Sequence, residues 1–112
     1  MTISPYSIPG IIDTTPLDAR SIIYLVTDYY QIKERSIYGK SRQIGFCIPR
    51  QVAIYIIKKK TNLTSVAIGR LFNRDHSTIL HSINVINNYF FTKNESIINA
   101  ITEIEGRLKM KN

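Results

Sequence analysis

Within residues 64–90 the chain carries two apolar repeats of helical period with almost nothing between them. Val66, Ala67, Leu71 and Phe72 share one face of a short helix, and Ile79, Ile83, Ile86 and Phe90 share one face of a longer one. Thr64 is placed to cap the first helix and Asp75 the second, so the expected helices cover residues 64–72 and 75–90. The link between them, centred on Asn73, is a turn of about three residues. A link that short makes the second helix cross the first at a steep angle rather than fold back along it.

The rest of the chain adds helices to this pair. Residues 1–15 contain Pro5, Pro9 and Gly10 without any period and read as an N-terminal arm, which leaves 16–112 as one domain. Thr15-Pro16 reads as a helix start, followed by Ala19, Ile22, Ile23, Val26 and Tyr30 at helical spacing. A short helical turn is expected over residues 33–38, then a polar, basic loop over residues 39–43. Pro49 reads as the start of the next helix, with Val52, Ala53, Ile56 and Ile57 inward and an end in Lys58, Lys59 and Lys60. Asn94 or Glu95 opens a last helix through Ile97, Ile98, Ile101, Ile104 and Leu108. The isoleucine-rich runs keep helical spacing and lack hairpin turns, so no strand is expected. The predicted fold is all-α, a small helical bundle.

A chain of 112 residues with 44% hydrophobic content closes one modest core. Its formal charge of +7 points to a polyanionic partner, nucleic acid or an anionic membrane surface. No apolar run reaches the length of a bilayer span, and the N-terminus lacks the pattern of a signal peptide. The single cysteine, Cys47, excludes an internal disulfide framework, so a cytoplasmic protein is expected. One cysteine and two histidines make no metal-ligand set, no cofactor is expected, and no nucleophile–base or paired-carboxylate arrangement indicates an enzyme.

Projected at about 100° per residue, the longer helix sets Ser77, His81, Asn84 and Asn88 opposite its isoleucines. Such a face suits the reading of base edges by the second helix of a helix-turn-helix motif. Read alone, it is first an ordinary wet face. His76 falls near the apolar flank, where periodicity calls it partly buried, although the tip of an inserted helix is exempt from that argument.

Residues 68–81, IGRLFNRDHSTILH, strongly resemble the signature of the C-terminal DNA-binding domain of the bacterial replication initiator DnaA family. Pro49-Arg50-Gln51, Lys58 and Thr61-Asn62 match the preceding helix in order and spacing, and Tyr29-Tyr30 and the basic loop ending at Arg42 also fit. The resemblance runs over roughly residues 17–105 and implies a helix-turn-helix bundle similar to the Trp-repressor class. It implies double-stranded DNA as partner, with A·T-rich, DnaA-box-like sites. Arg42 would enter the minor groove, whose narrow A·T-rich form concentrates negative potential. Asp75, His76, Ser77 and Thr78 would lie at bases or flanking phosphates at the tip of the recognition helix, and Arg74 beside them would also bind DNA. Arg50, Gln51, Lys58 and Thr61 would grip phosphates. His81 lies on the polar face and would either contact DNA or orient a neighbour.

Two departures accompany the resemblance. Family members commonly have two glycines before Arg-Asp-His, where this chain has only Asn73, so its turn is one residue shorter. The family's ATPase phosphate loop is also missing: Gly39-Lys40-Ser41 looks like the tail of GxxxxGK[ST], but the first glycine would fall on Glu34. With Met1 and a leader unlike the family, the expectation is a small, complete regulator of replication or transcription. The alternative is a DnaA-like fold repurposed as a protein-interaction module. An RNA reader is disfavoured because the A-form major groove is too narrow for a helix.

Overall fold

The computed structural model describes residues 17–39 and 44–110. The N-terminal arm, the Thr15-Pro16 helix start, and the basic residues 40–43 with Arg42 lie outside the described residues. Six helices follow in order: α1 (Leu17–Tyr30), α2 (Glu34–Tyr38), α3 (Ile44–Lys60), α4 (Ser65–Phe72), α5 (His76–Phe91) and α6 (Glu95–Met110). The described residues form no strand.

The centre of the bundle is α3, which touches each of the other five helices. Its buried residues Val52, Ala53, Ile54, Ile56 and Ile57 spread around more than one face, as a helix enclosed by neighbours requires. Ile22 and Ile23 of α1, Phe72 of α4, Ile79 and Ile86 of α5 and Ile101 and Ile104 of α6 close over it, all 0–1% exposed. Isoleucine is a mediocre helix former, so these helices are held by packing more than by intrinsic propensity.

One boundary differs from the sequence expectation. Pro49 does not start α3, which begins at Ile44 and carries Pro49 inside it. Proline there removes one backbone bond and crowds the carbonyl of Gly45. Pro49 and Arg50 are both buried, and this tertiary burial outweighs the local penalty.

The other ends follow local chemistry. Thr64 Oγ1 accepts from Ala67 N at 3.1 Å, the Asp75 carboxylate from Ser77 N at 3.3 Å, and Asn94 Oδ1 from Ile97 N at 3.1 Å. At their C-terminal ends α1, α4 and α5 share one closure. A non-glycine residue turns left-handed (Gln31, Asn73 and Lys93, φ 54–57°), and the next N–H reaches back to Thr27, Gly69 and Tyr89 oxygens respectively. Asn73 tolerates that conformation well.

Candidate nucleic-acid interface

The closure at Asn73 builds the turn between α4 and α5. Arg74 N donates to Gly69 O at 2.7 Å, and the turn folds back so tightly that a Cβ on Gly69 would overlap the Arg74 carbonyl oxygen. Gly69 is therefore glycine for space rather than for backbone freedom. Three residues, Asn73, Arg74 and Asp75, then separate the two helices.

Beyond the turn, the first turn of α5 stands clear of the bundle. His76, Ser77 and Thr78 are exposed, and so are His81, Asn84 and Asn88 further along the helix. The wheel's suggestion of a partly buried His76 does not hold, since its side chain is 56% exposed. Ile79 and Ile86 seat the opposite face, joined by Ser82, a buried polar residue that periodicity passed over. Asp75 is a cap first: its carboxylate accepts from both the N–H and the hydroxyl of Ser77. The Ser77 hydroxyl and then its amide hold this carboxyl below its ordinary value.

Two arginines expected at DNA are held by backbone carbonyls, Arg50 within the fold and Arg74 half-buried at the edge of the α4–α5 concavity. Arg50 is 7% exposed, and its guanidinium donates from Nε to Ile37 O at 2.8 Å and from Nη2 to Gly39 O at 2.9 Å. Arg74 donates from Nη1 to Phe72 O at 2.8 Å and from Nη2 to the same Gly39 O at 2.6 Å. Burial, and next the Arg50 charge, lower the Arg74 guanidinium from its ordinary value. Thr61 is likewise engaged within the fold, its hydroxyl donating to Ile57 O at 2.7 Å and accepting from Leu63 N at 3.2 Å. Gln51 is half-buried beside Arg50 in α3.

The lysine run divides by direction. Lys59 and Lys60 reach Glu105 of α6 at 3.1 and 3.8 Å, whereas Lys58 is exposed near the carbonyl of Leu63 at 3.5 Å, on the α4 side. Between α4 and the α5 tip lies an open concavity of about 370 Å³, lined among others by Val66, Arg70, Asn73, Asp75 and His76. Arg70 and Val66 are exposed there, one helical turn apart. Val66, expected on the buried face of α4 with Ala67, Leu71 and Phe72, is instead 49% exposed, and Arg70, four residues on and so on the same face, had no role in the sequence reading. Leu80 was also missed, an apolar residue of α5 left 47% exposed.

The family profile described as "Bacterial dnaA protein helix-turn-helix" matches residues 19–86, which span α1 to most of α5. The chain belongs to the bacterial DnaA helix-turn-helix family. Its relatives include "Chromosomal replication initiator protein DnaA 1" of Chlamydia pneumoniae, 38% identical over 99 residues. That match covers 88% of this chain and 21% of the relative. The DnaA 1 protein of Chlamydia trachomatis serovar D is 33% identical over 82% of this chain and 21% of its own length. The DnaA 2 protein of Chlamydia caviae is 38% identical over 66% of this chain and 16% of its own. The chain thus spans about a fifth of the length of these relatives. The DnaA helix-turn-helix is a DNA-binding domain, and the matched segment contains the turn, the recognition helix tip and the α3 contacts described above. Among the described residues no helix is long and apolar enough to cross a membrane, and no cluster of metal-ligating side chains forms.

Proposed function

We propose that the chain binds double-stranded DNA sequence-specifically, in a cytoplasmic role in replication or transcription. The observation that carries this reading is the exposed tip of α5, where His76, Ser77 and Thr78 project beyond a helix seated by Ile79, Ser82 and Ile86. A helix so seated enters the major groove tip-first, with hydroxyl and imidazole groups at base edges. His81 and Leu80 continue the strip, and Leu80 offers an apolar contact for a thymine methyl. Lys58 and Arg70 flank the tip and suit phosphates, which fix register without reading sequence. Gln51 and Thr61 support that flank. Arg42 extends the reading to an A·T-rich minor groove beside the site, and the domain responsible is 16–112.

The test starts from duplexes selected out of a random pool and follows their binding by fluorescence anisotropy at several salt concentrations. Arg42, Lys58 and Arg70 amount to about three phosphate-region charges, for a log–log salt slope of about −2.7. If Arg50 and Arg74 also turned out to phosphates, the slope would be about −4.5. His76→Ala should cost about 1–3 kcal/mol on the preferred site and little on random duplex. No duplex binding at low salt, or equal affinity for all sequences, would overturn the reading and favour a protein-interaction module.

A further inference from the structure

The Gly39 carbonyl oxygen is an unusual meeting point: guanidinium groups from α3 and from the α4–α5 turn both donate to it, at 2.9 and 2.6 Å. A carbonyl has two lone pairs, so it can hold both donors, but gathering two cations at one neutral atom serves a geometric purpose more than an electrostatic one. Resting on the DNA-binding reading above, we infer that Arg74, with Arg50 as its partner, is a positioning residue. It fixes the recognition-helix tip against the corner between α2 and α3, and so sets sequence discrimination without touching DNA.

Phe72 is the last residue of α4, and its carbonyl has no partner within the helix. Arg74 Nη1 satisfies that carbonyl while Nη2 spans to Gly39, so one planar fork joins the end of α4 to a residue 35 positions earlier in the chain. The Gly39 side of the bridge is itself fixed. Arg50 holds both Ile37 O and Gly39 O from within α3, Ile37 is fully buried, and Tyr38 packs on Phe72 with ring centroids 5.6 Å apart. The residue after Arg74 is Asp75, the cap of α5, and the exposed tip begins one residue later. The fork therefore acts on the tip through a single intervening residue. A lysine there would keep the charge, but its single ammonium lacks the flat spread of donors that bridges two carbonyls.

The experiment compares the full 112-residue chain with Arg74→Lys and Arg74→Gln. Affinities for the preferred duplex and a random duplex are measured across salt, at a temperature where circular dichroism shows every variant folded. Positioning predicts that both substitutions lower the ratio of specific to random affinity by about five- to tenfold and leave the salt slope unchanged. Lysine should be no better than glutamine. A phosphate contact predicts a different pattern: Arg74→Gln flattens the slope by about 0.9, Arg74→Lys retains it, and the affinity ratio is unmoved. That pattern overturns the inference. An unchanged ratio in both variants also overturns it, whatever happens to the melting temperature, because a purely structural arginine changes stability alone. Wild-type protein that binds no duplex defeats the DNA-binding reading and this inference together, and is told apart because no variant is needed to see it.

Discussion

Replacing Gly69 by alanine tests the packing of the helix-turn-helix turn more directly than any change at its surface. On propensity alone the substitution stabilises, since alanine is favoured over glycine in a helix interior by about 1 kcal/mol. The structure opposes it. The new Cβ would overlap the Arg74 carbonyl oxygen, a backbone atom that cannot swing aside as a side-chain end could. Retreat of that carbonyl would disturb the Arg74 N–H bond to Gly69 O and the two guanidinium bonds to Phe72 and Gly39. Overpacking costs about 1–3 kcal/mol, and this rigid obstacle belongs at the upper end of that range. The net loss is then about 2 kcal/mol, a fall in Tm of about 8 °C for a domain of this size. Gly106→Ala is the control: Gly106 lies in α6 with nothing within 4 Å of its would-be Cβ. That variant should gain about 0.5–1 kcal/mol. Thermal and urea unfolding of both variants reads the two signs. A Gly69→Ala protein as stable as Gly106→Ala would refute the tight turn and the geometry argued from it.

Asp75 gives a pH signature. Its carboxyl is held below the ordinary value by Ser77, so its contribution to stability is complete above the unfolded value near 3.9 and is lost as pH falls through the lower folded value. Asp75→Asn keeps a capping oxygen but cannot titrate, so the stability advantage of wild type over the variant should shrink on acidification below about pH 4; a difference independent of pH argues against the Ser77 contacts. Lys58→Ala should weaken specific and random duplexes alike and flatten the salt slope by about 0.9, whereas Lys59→Ala, on the Glu105 side of α3, should leave both slopes unchanged. Leu80→Ala, at a half-exposed position, should barely move Tm yet relax the preference for thymine at one base pair; a marked loss of stability instead would mean that Leu80 packs inward.

The parts of the fold that were legible in the sequence are those fixed by neighbouring residues. Thr64, Asp75 and Asn94 announce helix starts because a side-chain oxygen has only to reach an amide two or three residues on. Asn73 announces the turn because it tolerates the left-handed backbone that closes α4. The start of α3 was misread because its strongest local signal, Pro49, is overruled by burial that involves residues far away in the chain. The carbonyl bonds of Arg50 and Arg74 were illegible in the same way. In a chain of net charge +7 an arginine beside a recognition motif reads as outward-facing, and the Gly39 carbonyl that both reach lies 11 positions from Arg50 and 35 from Arg74. No period or spacing carries that information.

The helical wheel failed in a more instructive manner. It centred the buried face of α5 on Ile79, Ile83, Ile86 and Phe90, because those are the apolar residues. The fully seated residues are Ile79, Ser82 and Ile86, while Ile83 and Phe90 are only half-buried. Ser82 lies about 60° to one side of Ile79, and His76 and Leu80 lie about 60° and 100° to the other. The true buried face is therefore turned towards Ser82. One rotation accounts for three departures at once: a buried serine, an exposed leucine and a histidine that leaves the apolar flank for solvent. Hydrophobicity marks which residues prefer to be covered, but the positions of α3 and α4 decide which ones are. Ser82 is 4% exposed and Leu80, on the opposite flank, 47%. The exposed strip thus runs through His76, Ser77, Leu80, His81 and Asn84, and it mixes an apolar side chain with hydrogen-bonding ones. That mixture is what a thymine methyl beside base-edge donors and acceptors requires, and it follows from how α5 is seated rather than from its polar residues alone.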